Sequence, residues 1–204
     1  GVDPRTSRPG GKMIRSRRFV LLALAALPAA CASPNPVLYV LAPVPGATHA
    51  RAPRVVMVRS VAIAHYLERS QIVRSSEGYR MDVLSNQWWG EPLDALMSRV
   101  LVQDLNQRLP GSTVYAESGA ISTAPGATVA INLQRFDLDR DGAVLLVAQI
   151  AVEGKGQGEG KSAGTRGVSL QVRPADSTTG ALVAAMSTAT AQLADAVATM
   201  LAGR

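Results

Sequence analysis

The 204-residue chain carries 21 Lys and Arg against 15 Asp and Glu, with two His and one Cys. Six basic side chains (Arg5, Arg8, Lys12, Arg15, Arg17, Arg18) and one acid, Asp3, lie in residues 1–30, so 15 basic and 14 acidic residues remain from Cys31 onward and the body carries only +1. A nearly neutral body with 4% aromatic residues lacks the basic patch and stacking platform of a nucleic-acid binder, and one Cys with two His excludes a disulfide framework and a Cys-rich or multi-His metal centre.

Met13 reads as the start of translation, which leaves residues 1–12 as an upstream remnant. Residues 13–30 have the layout of a secretory signal: the basic stretch Arg15–Arg18, the apolar run Phe19–Leu27, then the small residues Ala29 and Ala30. A run of nine apolar residues is too short to cross a bilayer as a helix, which takes ~20. Cys31, the only cysteine, follows Leu27-Pro28-Ala29-Ala30. It stands where a bacterial lipobox places the residue that is acylated and becomes the mature N-terminus, although Pro28 occupies a usually aliphatic position. Buried acyl chains contribute ~0.8 kcal/mol per CH₂, so acylated Cys31 is expected to hold the chain on a membrane. Ala32, in place of an inner-membrane-retaining Asp, points to the periplasmic face of the outer membrane rather than the inner membrane. Residues 31–36 form a short tether; at ~3.3 Å per residue the folded domain begins within ~20 Å of the membrane.

Val37–Leu41 reads as a strand closed by Pro43, and Val55–Ile63 as a second, with Val55, Val56, Val58, Val61 and Ile63 as its apolar positions. Gln71–Arg74 and Tyr79–Leu84 read as a short strand pair around the turn Ser75–Gly78. Pro92 then opens the clearest helix. Leu93, Leu96, Met97, Val100, Leu101, Leu105 and Leu109 recur at helical steps, leaving Asp94, Arg99, Gln103 and Asn106 outward, and Pro110-Gly111 stops it. Ser112–Ala116 is a strand. Val129–Phe136 and Val144–Val152 flank Asp137–Gly142, in which Asp141-Gly142 is a hairpin signal. Gly154–Gly167 reads as a glycine-rich mobile loop, Val168–Val172 as a returning strand, and Ala181–Leu201 as a last helix with Leu182, Met186, Ala189, Leu193, Val197 and Met200 on one face. These elements predict a single α/β or α+β domain over residues 37–202: a mixed sheet of five to seven strands, including a long β-hairpin, packed by two main helices. A domain of this size buries roughly 70% of its unfolded surface, so no disulfide or metal staple is required.

Three local motifs invite a chemical reading. Asp137, Asp139, Asp141 and Gly142 match the first half of an EF-hand loop, but Ala148 stands where the closing Glu belongs and the flanks are strands; they read as a solvated acidic hairpin tip. Gly160-Lys161-Ser162 ends like a phosphate-binding loop, yet Lys155 replaces the leading glycine and a strand follows where a helix N-terminus is needed. His65 could act as a base, but no nucleophile motif accompanies it and it reads as a surface or edge histidine. No catalytic residue, cofactor or metal ligand is assigned, and a non-enzymatic protein is expected.

A set of features in fixed order carries a family resemblance: Tyr66-Leu67-Glu68-Arg69-Ser70-Gln71-Ile72-Val73-Arg74, then Trp88-Trp89-Gly90-Glu91-Pro92-Leu93, then Arg135-Phe136-Asp137 with Gly142, then Leu182–Ser187 at the start of the last helix. Together with the leader, this resembles the ABC-type transport auxiliary lipoprotein family, which includes the paraquat-inducible lipoprotein component of Mce-type lipid transport systems. Ser70 replaces a usual Pro and Gly90 a usual Ala. The resemblance spans about Val37–Leu201. It implies a compact layered domain, a membrane anchored through Cys31, and an Mce-domain transporter subunit as partner, with an ABC permease and ATPase in the same system. A second copy of the chain is a further candidate partner. The alternative is a stand-alone binding or envelope-assembly lipoprotein of the lipopolysaccharide or peptidoglycan machinery. Tyr66, Leu67, Gln71 and Ile72 show no core periodicity and are expected at a partner interface with Trp88 and Trp89, since aromatic residues anchor such surfaces.

Overall fold

The computed structural model describes residues 35–120, 123–155 and 161–203. The expectations placed on the leader and Cys31 lie outside the described residues. From Pro36 onward the chain forms one unit, built around the strand β7 (Ala127–Leu138). Along one edge, β7 pairs antiparallel with β8 (Val144–Lys155), which pairs antiparallel with β9 (Lys161–Val172). Along its other edge, β7 receives three short parallel strands in succession: β2 (Val55–Val58) at Ala127–Val129, β3 (Ala62–Ile63) at Asn132–Leu133, and β4 (Gln71–Ser75) at Leu138. Beyond β2 lies β6 (Thr113–Ala116), parallel to it; beyond β4 lie antiparallel β5 (Asp82–Trp89) and, parallel to β5 at the sheet edge, β1 (Val37–Tyr39).

Alternation decides which face is covered. Val129, Ile131 and Leu133 on β7, and Val144, Leu146, Ala148, Ile150 and Val152 on β8, are buried, as expected when successive side chains point to opposite faces. Two helices complete the core, α1 (Leu93–Arg108) and α2 (Thr179–Ala202). The seven apolar positions expected for α1 are all buried, and so are Leu182, Met186, Ala189, Leu193 and Val197 of α2. Thr178 caps α2 by accepting from the Ala181 backbone N at 3.1 Å, satisfying one of the unpartnered donors of the first turn. By length and composition α2 could span a membrane, yet 67% of its most apolar window is buried within the domain.

The mixed sheet with two helices agrees with the expected class, but it holds nine strands among the described residues, not five to seven. Val55–Ile63 divides into β2 and β3, because Arg59 N bonds Val129 O and Val61 N turns instead to Ser98 Oγ at 3.2 Å. The expected glycine-rich loop is mostly strand: β8 and β9 stay paired from Val144↔Val172 out to Lys155↔Lys161, and residues 156–160 lie outside the described residues. Glycine weakens a strand by itself, and here the continuous ladder to β8 and the packing of Val168, Leu170 and Val172 against the core hold β9 in place.

Candidate functional site

The two stretches that carry the resemblance meet in space. Gln71 of β4 is registered opposite Trp88 of β5, and Trp89 N donates to Ser70 O at 2.7 Å. β5 then runs into Pro92, the N-cap of α1. Between this corner and the β3–β4 connection lies a cleft of about 650 Å³, with Trp89 and Leu93 lining it beside Glu68, Arg69, Ser70 and Glu91. Arg69 Nε donates to Tyr66 O at 2.9 Å, and Arg99 reaches Glu91 Oε1 at 2.6 Å. Gly90, where the family usually has Ala, donates from N to Tyr39 O at 2.8 Å. A Cβ there would come within 3.3 Å of Val40 Cγ1, so glycine permits the close approach of the segment that follows β1.

A partly buried polar network gathers around Asp137 and includes Tyr66, which precedes the cleft residues Glu68 and Arg69 in the chain. The Tyr66 hydroxyl donates to Asp137 Oδ2 at 2.7 Å, Ser76 Oγ donates to the same oxygen at 2.6 Å, and Arg135 Nε donates to Oδ1 at 2.9 Å. Arg135 also reaches Glu77 Oε1 at 2.6 Å, and Arg140 Nε reaches Glu77 Oε2 at 3.0 Å. Burial, reinforced by Asp137, pushes the Tyr66 phenol up to about 12, so it remains a donor throughout the neutral range. The bonds from Arg135 and then Arg140 hold the Glu77 carboxyl below the usual carboxylate range. Asp137 is fully buried, which corrects the reading of a solvated tip: it precedes the turn, and three side-chain donors compensate its charge. Asp139 forms the turn itself, accepting from Asp141 N and Ala143 N at 2.9 Å each.

The expected interface residues divide. Tyr66, Gln71 and Trp88 are half-buried, with Trp88 Nε1 donating to Ser85 O at 3.1 Å. Leu67, Ile72 and Trp89 are core residues, 3%, 0% and 6% exposed, and are withdrawn from the expected surface. A one-turn 3₁₀ helix, His65–Leu67, tucks Leu67 inward, while β4 is flanked by β5 and β7. His65 is exposed and pairs with Glu68, at 3.1 Å. Sequence reasoning missed a second polar cluster, the buried Arg108 and Asp104 with the partly exposed Asp195, in which Arg108 Nε donates to Asp195 Oδ1 at 2.5 Å. Its signal was Asp104 and Arg108, one turn apart among the apolar positions of α1.

The family model described as "ABC-type transport auxiliary lipoprotein component" matches residues 39–198. A crystal structure of an uncharacterized protein is similar at a TM-score of 0.66 and 22% identity, over 81% of this chain and 98% of its own. A Xanthomonas campestris protein of the DUF330 family is similar at 0.60 and 16% identity, over 81% of this chain and 96% of its own. At these identities the likeness shows the fold. A search of curated proteins finds no match.

Proposed function

Since the chain belongs to the ABC-type transport auxiliary lipoprotein family, we propose that it is a non-enzymatic auxiliary subunit of an Mce-type intermembrane lipid transport system. In this reading it is anchored through acylated Cys31 on the periplasmic face of the outer membrane. The observation that carries the docking role is the cleft between the two family-like stretches. Its floor is apolar and fixed by the core, whereas Glu68 and Ser70 at its margin are exposed and Arg69 and Glu91 half-exposed. An apolar centre inside a polar rim is the layout of a protein docking surface, here for an Mce-domain subunit.

Co-purification of the chain with a tagged Mce-domain subunit from the same genome tests this. Arg69→Glu and Ser70→Trp change the cleft margin and leave the core intact. Each is expected to weaken capture about tenfold or more, the size of an interface anchor lost, without lowering the melting temperature. Capture of both variants at the wild-type level places the docking surface elsewhere. Failure of the wild type to be captured by any Mce-domain subunit favours the stand-alone envelope lipoprotein.

A further inference from the structure

The large apolar side chains exposed among the described residues are Val37, Leu38, Val40, Tyr79 and Met81. They fall into two groups along one margin of the sheet: three belong to β1 or the residue after it, and two to the turn that leads into β5, the strand to which β1 is paired. Exposed apolar groups gathered at one margin mark a contact surface.

The turn itself is unusual. Arg80 N bonds Glu77 O at 3.2 Å, closing a four-residue turn with Gly78 and Tyr79 at its centre. Both central residues have positive φ, 60° for Gly78 and 65° for Tyr79, and Tyr79 is the one non-glycine residue in that state among the described residues. A bulky side chain is disfavoured there. The turn bond and the antiparallel pairing of β4 with β5 hold this conformation, but they ask for no tyrosine, and the Tyr79 ring is fully exposed, at 112%. A bulky aromatic side chain at such a position, with its ring in solvent, is a reason to look for an external contact.

Chain direction supplies the occupant. β1 runs parallel to β5, with Val37 beside Gln87, so the chain enters β1 from the side of the sheet that carries the Gly78–Met81 turn. From Gln87 back to Asp82 is five residues, roughly 17 Å of strand. Cys31 lies six positions before Val37, a reach of about 20 Å. An acyl anchor at Cys31 is therefore long enough to bring this end of the sheet to the bilayer. Tyrosine suits the headgroup level, with its ring in the acyl boundary and its hydroxyl in water, and Arg80 beside it suits anionic headgroups.

We propose that Tyr79 and Met81 at the β4–β5 turn, with Val37 and Leu38 of the edge strand, form a second membrane contact that seats the domain on the lipid surface carrying its anchor. The proposal rests on the reading of Cys31 as the acylated residue, and the test separates the two. Acylation uses the only native cysteine, so Tyr79→Cys and, as a control, Ser118→Cys each introduce a single free thiol into the full-length lipidated chain. Ser118 is exposed and follows β6, whose end is level with Val129 of β7, roughly 30 Å along the sheet from Leu138. Each thiol carries an environment-sensitive fluorophore, and the protein is reconstituted in vesicles of three parts phosphatidylethanolamine to one part phosphatidylglycerol. The label at Tyr79→Cys is expected to shift to the blue on reconstitution and to be quenched by lipids bearing nitroxides, and the label at Ser118→Cys to do neither. An anchored protein whose two labels both stay in water overturns the membrane contact while leaving the anchor standing. Equal blue shifts at both sites mean nonspecific adsorption and overturn it as well. Absence of labelled palmitate on the wild type, or its persistence on Cys31→Ala, removes the anchor reading and this proposal with it.

Discussion

β4 lies between β5 and β7, and there Ile72 and Val73 are sealed in the core; among the described strands β1 is paired with β5 alone, and there Leu38 remains 62% exposed. The two strands have similar apolar residues, so hydrophobicity does not explain the difference. An interior strand has a neighbouring strand on each edge, which shields its side chains from both sides. A three-residue edge strand has one neighbour, and its side chains meet solvent unless something outside the domain covers them. β1 is held by the chain that follows it instead. Leu41 is buried, Ala42 N bonds Ser187 Oγ at 3.2 Å, Val44 N bonds Asp104 Oδ1 at 3.0 Å, and His49 N bonds Arg108 O at 2.7 Å. Arg108 Nη1 returns a bond to Val44 O at 3.1 Å. Polar bonds to the two helices thus fix a strand whose apolar groups stay outside.

The largest effect expected from this contrast is at Ile72 and Leu67. Either residue replaced by Asp introduces a carboxylate with no partner into the core, and the removed side chain alone is worth about 2–5 kcal/mol. Against a total stability of about 5–15 kcal/mol, Ile72→Asp should lower the melting temperature sharply or abolish the cooperative transition. Urea unfolding with both variants checks this. A wild-type midpoint in either would mean that the segment is not core and that the contrast between β4 and β1 is false.

A smaller effect concerns the cluster that pins the segment after β1. Burial pushes the Asp104 carboxyl up to about 6, against the bond from Val44 N and the attraction of Arg108, and the nearby Asp195 charge adds to the rise. The folded state therefore holds this proton more tightly than the unfolded chain, whose carboxyl titrates near 3.8. The resulting stability is complete below that value and is lost as the pH rises through about 6. Asp104→Asn keeps an acceptor for Val44 N and removes the titration. Relative to this variant, the wild type should lose a few degrees of melting temperature between pH 4 and pH 7. A constant gap across that range would show that the cluster does not titrate in this way.

The long elements were legible in the sequence because each repeats one period many times. The α1 and α2 faces and the β7–β8 hairpin, with Gly142 at a φ of 73° in its turn, follow from that. Short segments were not. Leu67 and Ile72 sit in a 3₁₀ turn and an irregular strand with two register shifts, so their burial depends on β5 and β7, which no local pattern names. The polar networks escaped for a related reason. Asp137 finds Tyr66 and Ser76 across 71 and 61 residues of chain, and a carboxylate two residues after Arg135 looks like any surface pair. The motif stretches at the cleft could be located, but which of their side chains face outward was decided by the fold.

The smallest expected effect is at the edge. Leu38→Ser removes an apolar side chain from a position already 62% exposed, where little area leaves water on folding. Substitutions at such sites usually change stability by no more than about 0.5 kcal/mol, and the bond from Gly90 N to Tyr39 O, which ties the strand to β5, does not involve the Leu38 side chain. In detergent the variant should melt with the wild type and show the same urea dependence, since the surface exposed on unfolding hardly changes. Loss of several degrees would mean that Leu38 contributes packing and that β1 differs from β4 in degree rather than in kind. An unchanged melting temperature, set beside the collapse expected for Ile72→Asp, would show that Leu38 is dispensable to the fold and leave its apolar character to be explained by what lies outside the domain.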